Sequence, residues 1–287
     1  IAGYTVKSVP SDASGCMDVA KLRELLDDGV AGLMLTCPNT LGLFNPHVAE
    51  ICELIHGVDG LVYYDGANLN AIMGKARPGD LGFDIVHLNL HKSFATPHGG
   101  GGPGAGPVGV VERLLEFLPV SLVVKREDGT FALEYDRPNS IGYIAPFYGN
   151  FAVVLRAYVY ILMLGREGIE RVAENAVLNA NYLRERLAPY YQQKYRRSCM
   201  HECVLSASCQ SAKDVHALDI AKALLDAGFH APTIYFPLIV PEAMMIEPTE
   251  TESKATIDAF CEAMIAIAKA VETDPDSVRR CPLTTPV

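Results

Sequence analysis

No stretch of this 287-residue sequence is long and apolar enough to span a membrane. Its longest apolar run, Phe151 to Leu164, has 14 residues and includes Arg156, against the roughly 20 that a span requires. Positive charge is scarce: 24 Lys+Arg stand against 34 Asp+Glu, for a net charge of −10. That balance argues against a nucleic-acid surface, although local dipoles and single cations still allow a small anion to bind. No cationic start precedes an apolar stretch, so no signal peptide is expected and the location reads as cytoplasmic. No Cys-x-x-Cys occurs among the eight cysteines, and Cys199-x3-Cys203-x5-Cys209 lacks a second pair at metal-ligand spacing. Reduced thiols and no metal are therefore expected. Internal repeats and low-complexity tracts other than glycine are also absent. What remains is 49% apolar and 20% charged, with a mean hydropathy of +0.16, ordinary for a packed chain of about two domains.

The first part alternates short β-rich runs with helical patterns, predicting an α/β domain over 1–118 with a mainly parallel sheet. Strands are expected at Tyr4–Val9, Gly32–Thr36, Leu61–Tyr64, Ile85–Leu88 and Pro107–Val111. Asp18 is placed to cap a helix over Val19–Asp28, with Gly29 as its terminator. Asn45-Pro46 opens a second helix, whose apolar face is Val48, Ile51, Cys52 and Ile55. A further helix is expected around Glu112–Phe117. Residues 119–150 read as a connection with one hairpin turning at Asp128-Gly129. The remainder, 151–287, reads as a smaller α+β domain. Its expected helices are Phe151–Leu164 (stopping at Gly165), Ile169–Leu187, Asp214–Ala227 (closed by Gly228) and one from Thr249-x-x-Glu252 to Val271. Its expected strands are Cys203–Ala207 and Thr233–Phe236.

Chemistry concentrates in residues 61–109. Asp65 lies just past one expected strand end, and Asn89, His91 and Lys92 lie just past the next. Ligands of open α/β sheets bind beyond the carboxyl ends of strands, so an acid and an amine would face one crevice. That pair suits pyridoxal phosphate, a lysine forming the Schiff base and an acid partnering the pyridine nitrogen. The lysine must lose its proton to react. Each residue alone has a plainer explanation: a turn-forming Asp or Asn, a solvated His-Lys loop, and a core histidine at His87. The tract from Gly99 to Gly109 matches G-x-G-x-x-G twice, but no strand feeds it directly and Pro103 and Pro107 interrupt it. A dinucleotide turn is thereby disfavoured, and no glycine precedes a lysine followed by Ser or Thr, so a P-loop fails. A tight structural crossing and a wall of the ligand site both remain open for it.

Asp65-Gly-Ala-Asn, His87-Leu-Asn-Leu-His91-Lys92-Ser-Phe and Pro97-His98-Gly-Gly-Gly-Gly-Pro-Gly104 together resemble the cofactor region of glycine dehydrogenase (decarboxylating), the P-protein of the glycine cleavage system. The resemblance is nearest to subunit 2 of the two-subunit form. It continues through Ile141-Gly-Tyr, Phe147-Tyr-Gly-Asn150-Phe, Asn179-Ala-Asn-Tyr182-Leu, Gly228-Phe-His-Ala-Pro232-Thr and Ile246-Glu-Pro-Thr-Glu250. It implies a fold-type I pyridoxal-phosphate large domain, partial here because the family's first strands lie upstream of Ile1, plus a smaller α+β C-terminal domain. It further implies Lys92 as the Schiff-base lysine, Asp65 at the pyridine nitrogen and Ala67 against the ring. His91 and Asn89 would approach the phosphate, and Thr36 the ring hydroxyl or substrate. His98 is expected to line the channel of a lipoyl arm. Where the family has Lys-Thr-Phe, this chain has Lys92-Ser93-Phe94, which keeps the hydroxyl. The implied reaction is decarboxylation of glycine and transfer of the aminomethyl group to lipoylated H-protein, with subunit 1 as partner. Without the upstream segment, the isolated chain is expected to hold an incomplete cofactor site. Another fold-type I enzyme (an amino-acid decarboxylase or desulfurase) and a non-catalytic partner subunit are the alternatives.

Overall fold

The computed structural model describes residues 3–97, 104–144 and 149–285. Strands β1 (Gly32–Thr36), β2 (Leu61–Gly66) and β3 (Ile85–Leu88) pair in parallel, and β4 (Val108–Val110) joins β3 antiparallel, giving the order β1-β2-β3-β4. Alternation along β2 buries Val62 and Tyr64 on one face. Helix α2 (Val48–His56) covers that face with the expected Val48, Ile51, Cys52 and Ile55. The Tyr64 hydroxyl donates to Cys37 O at 2.6 Å, so the buried ring keeps a partner for its polar end. Helix α1 (Val19–Leu25) begins at Asp18, whose carboxylate accepts from Lys21 N. It stops short of Asp28 because the Asp27 carboxylate accepts the Gly29 N–H at 2.9 Å, favouring a turn over another helical residue.

Tyr4–Val9 is not a strand. Tyr4 and Val6 stand 72% and 88% exposed with no described ladder partner, and β-rich composition alone does not make a strand without an edge to join. The segment Glu112–Phe117 is a 3₁₀ helix. Strands β5 (Leu122–Lys125) and β6 (Phe131–Glu134) form the expected hairpin.

Helices α3 (Leu90–Ser93) and α4 (Phe151–Leu187) lock the two halves together. At Gly165, φ +61° and ψ −173° interrupt α4 and split it into the two expected helical segments. Val153 and Ala157 of the first segment pack on Leu90, and Val172 and Ala173 pack with Met73. Ala180, Leu183 and Leu187 enter the second large core. That core is built on a sheet of order β7-β9-β8, from β7 (Cys203–Ser206), β8 (Thr233–Ile234) and β9 (Ala243–Ile246). The sequence reading missed β9, a four-residue apolar run that periodicity does not separate from helix. Helix α5 (Ser208–Ser211) follows β7. Helices α6 (Ala217–Asp226), α7 (Lys254–Thr273) and α8 (Pro275–Arg279) cover the sheet. Ser253, not Thr249, caps α7 by accepting from Thr256 N at 3.1 Å, while Thr249 O takes the Asn179 amide.

One close crossing joins the halves near the strand ends. Gly42 has φ +73°, its carbonyl accepts Met200 N–H at 2.7 Å, and a Cβ there would lie 2.0 Å from Glu202 O. Gly42→Ala is expected to destabilise the protein by about 3 kcal/mol, from positive φ together with a backbone clash. Urea unfolding at an unchanged m-value would measure it, and a loss below about 0.5 kcal/mol would show that the crossing yields.

Candidate active site

The parallel strands end in a row. Thr36, Asp65 and His87 are Cα partners on β1, β2 and β3, so their side chains share one face of the sheet. Asp65 Oδ1 accepts Ala67 N–H at 3.0 Å and stands 3.3 Å from His87 Nε2. His87 Nδ1 lies 2.8 Å from the Tyr63 hydroxyl. Burial raises the Tyr63 phenol above its ordinary range, with the Asp65 charge adding to the effect. Nε2 is the ring nitrogen of His87 that faces Asp65. His87, which the sequence reading set aside as a core residue, thus orients the acid. The signal that finds it is strand register, which the sequence does not display.

Lys92 sits one strand over, on α3. The Asn89 carbonyl accepts the amides of Lys92 and Ser93 at 3.1 and 3.3 Å, opening the helix directly after β3. Leu90 and Ser93 are buried, and the Lys92 side chain is exposed. Ser93 Oγ accepts Leu69 N–H at 2.9 Å, pinning α3 to the loop after β2 that carries Ala67. Leu88 N and Leu90 N donate to Pro107 O and Ala105 O. A Cβ on Gly106 would lie 2.5 Å from Leu88 O, and one on Gly104 3.2 Å from His91 Nδ1. The end of the glycine tract is therefore a tight crossing beside Asn89 and His91. His98 and the glycines from 99 to 102 lie outside the described residues.

A second group, absent from the sequence reading, meets this edge from the other half. β7 begins and β9 ends at the same side of their sheet, Cys203 being in register with Ile246. Glu202 and Glu247 follow from that pairing. Glu247 Oε1 accepts from Asn70 Nδ2 at 2.9 Å and from Asn68 Nδ2 at 3.4 Å. Ligand atoms of His201, Glu202 and Glu247 all lie within 4.8 Å of one another. Burial pushes the Glu202 carboxyl up to about 8, helped by the Glu247 charge, and pulls the His201 imidazole down to about 4. Close packing likewise raises the Glu247 carboxyl, although the two asparagine amides oppose the shift.

These residues fit pyridoxal phosphate. An oriented carboxylate stands on the last residues of β2, within the strand and not past its end as the sequence suggests, and an accessible primary amine follows the adjoining β3. The edge also has polar capacity to spare: Thr96 Oγ1 and Asn70 Oδ1 are buried without a hydrogen-bond partner among the described residues.

The fold is the mixed α/β fold of the fold-type I pyridoxal-phosphate class. The fold is shared with a glycine decarboxylase (P-protein) of the glycine cleavage system in inhibitor-bound form, at TM-score 0.73 and 22% identity over 91% of this chain and 59% of that one. It is shared also with the apo cysteine desulfurase of Thermococcus onnurineus NA1, at TM-score 0.70 and 15% identity over 92% and 66%. A family described as "Glycine dehydrogenase, C-terminal domain" matches residues 172–280. Proteins called probable glycine dehydrogenase (decarboxylating) subunit 2 are 57% identical in Caldanaerobacter subterraneus subsp. tengcongensis and 56% identical in Chlorobaculum tepidum, each over 100% of this chain. Over its whole length the chain is similar to these glycine dehydrogenase (decarboxylating) subunit 2 proteins. It spans 59% and 60% of the length of those two relatives.

None of the eight cysteines is in a disulfide, and Cys16, Cys37, Cys52, Cys199, Cys203 and Cys261 are buried. Among the described residues no helix is long and apolar enough to cross a membrane.

Proposed function

We propose that this chain is the lysine-bearing part of an enzyme that decarboxylates glycine and passes the aminomethyl group to the lipoyl arm of an H-protein. One observation carries the reading: the Asp65 carboxylate stands at the C-terminal end of β2 and the Lys92 amine just after the neighbouring parallel β3, in a chain 57% identical to subunit 2 relatives. Pyridoxal phosphate, when bound, supplies an electron sink for the pair released as carbon dioxide leaves. Lys92 offers the amine that would bond it. Asp65, oriented by Ala67 N–H and His87, would hold a proton at the pyridine nitrogen. Asn89 and His91, beside the Gly104–Pro107 crossing, would approach the phosphate, Ala67 would lie against the ring, and Thr36, in the same row as Asp65, would reach the ring hydroxyl or substrate. His98 is assigned to the lipoyl channel on sequence alone. The boundaries 1–118, 119–150 and 151–287 are proposed as large domain, connection and small domain, with α4 clamping the first to the last. Subunit 1 is the proposed partner. Exposed Phe151, Leu155, Tyr158, Leu162 and Met163 on the first segment of α4 offer it an apolar face. A cytoplasmic location accords with the unpaired thiols.

Full-length subunit 2 carrying this sequence, combined with subunit 1, is expected to release labelled carbon dioxide from carboxyl-labelled glycine only when lipoylated H-protein is present. Equal turnover without that carrier would favour a simple amino-acid decarboxylase, and sulfur release from cysteine a desulfurase. His87→Ala is expected to weaken cofactor binding by about tenfold, one charge-assisted hydrogen bond's worth. Spectrophotometric titration reads this directly, and unchanged affinity would remove His87 from the role.

A further inference from the structure

His201, Glu202 and Glu247 are used by no assignment made so far. His201 is 1% and Glu202 6% exposed, and both ring nitrogens of His201 lack a hydrogen-bond partner among the described residues. So deeply enclosed an imidazole with neither nitrogen bonded is costly and calls for a ligand. The ring is aimed at its acidic neighbour: Nε2 lies 3.8 Å from Glu202 Oε1, too far for a hydrogen bond. One ligand atom from each of the three residues lies within 4.8 Å of the others. Ligands held at about 2.1 Å by a tetrahedral ion stand roughly 3.4 Å apart, so the three donors surround a space that an ion fills after a small closing movement. The backbone sets up this convergence. Cys203 and Ile246 are in register on β7 and β9, so the residues just before one strand and just after the other meet at one edge of the sheet. Asn70 and Asn68 donate to Glu247 Oε1 at 2.9 and 3.4 Å, the kind of hydrogen bonding that orients a ligating carboxylate.

We propose that His201, Glu202 and Glu247 bind one divalent transition-metal ion of the Zn²⁺ or Mn²⁺ type, which ties the edge of the small sheet to the loop after β2. The donor set selects that class. An imidazole disfavours Mg²⁺ and Ca²⁺, which prefer all-oxygen shells, and the lack of a thiolate disfavours Cu(I). Two carboxylates balance the charge of a dication, and the ion gives the His201 ring the partner that the protein does not. Three protein donors leave a coordination position for water, and Glu247, the exposed member, gives the ion its way in. The sequence predicts no metal from its cysteine spacing. This set contains no cysteine, and its members come from two stretches that only the pairing of β7 with β9 joins. The Lys92 charge reaches all three residues and opposes a cation, but among the described residues no ion pair places Lys92 between them. The site shares no residue with the cofactor assignment and does not rest on it.

The test takes full-length subunit 2 carrying this sequence, strips it with a chelator, and titrates it with Zn²⁺ and separately with Mn²⁺ by equilibrium dialysis. Micromolar binding of a single ion per chain is expected. Glu247→Gln keeps an acceptor for Asn68 and Asn70, so the fold is retained, and it is expected to weaken binding at least about tenfold. Glu202→Gln, equal in size, should do the same. Bound Mn²⁺ should show spin-echo coupling to an imidazole nitrogen that disappears in His201→Gln. Saturating Zn²⁺ should raise the Tm of the wild type by about 3 °C or more and leave that of Glu247→Gln nearly unmoved. Lys92→Met should bind the ion at least as tightly as the wild type while failing to capture the cofactor, which distinguishes the two assignments. No ion bound at about 100 μM overturns the proposal and leaves water as the occupant. Binding that survives Glu202→Gln and Glu247→Gln also overturns it, because the ion then sits elsewhere.

Discussion

Lys92→Ala is expected to abolish covalent capture of pyridoxal phosphate: after borohydride reduction, no cofactor should remain on the peptide containing residues 89–97. In the full-length enzyme the same change should lower glycine decarboxylation on the order of 10³-fold or more, since a covalent amine has no substitute nearby. Lys92 is accessible, whereas its neighbours Leu90 and Ser93 are buried and anchor the short helix. Lys92→Ala therefore removes the amine and leaves the packing of α3 intact, and thermal unfolding should change little. Lys92→Arg, which keeps the charge but not the chemistry, should fail equally. Trapping on another lysine in the wild type would overturn the assignment of Lys92 while leaving the fold untouched.

Asp84→Ala is expected to cost about 3–4 kcal/mol of stability. Asp84 is buried between α2 and β2 and its carboxylate serves three partners: Val62 N–H at 2.8 Å, His56 Nε2 at 2.8 Å and Arg113 at 2.7 Å. Truncation leaves a strand amide and a guanidinium without their acceptor, the circumstance in which loss of a buried partner is most damaging. Burial by itself would raise this carboxyl, but the Val62 amide, Arg113 and His56 together hold it below the usual range. A depressed carboxyl contributes fully above its unfolded value of about 3.9 and loses that contribution as pH falls through the lower folded value. Denaturant unfolding of wild type and Asp84→Ala should therefore differ most near neutrality and converge in strong acid. A gap that persists there would mean that Asp84 acts through packing, not charge.

Legibility in the sequence followed the range of the interactions involved. The apolar face Val48, Ile51, Cys52 and Ile55, the strands Gly32–Thr36 and Ile85–Leu88, and the break at Gly165 rest on local periodicity and backbone freedom, and all appear as expected. Tyr4–Val9 looked like a strand and is not, because pairing depends on a neighbour no local pattern supplies. β9 was missed for the converse reason: its identity comes from pairing with β7 and β8. Asp65 and Lys92 were readable because strand-end chemistry has a local signature. His87 reads as an ordinary strand residue until register sets it opposite Asp65.

From the sequence alone came the alternation of strands and helices, the amine and acid at successive strand ends, and the family likeness, all carried within short windows of chain. Only tertiary structure brought His201 and Glu202 to Glu247, and Glu247 to Asn68 and Asn70 across more than 100 residues of chain. It did so because the loop after β2 and the end of β9 meet, where Asn68 and Asn70 donate to Glu247. Side-chain charge and burial there follow from that docking and have no trace in local sequence.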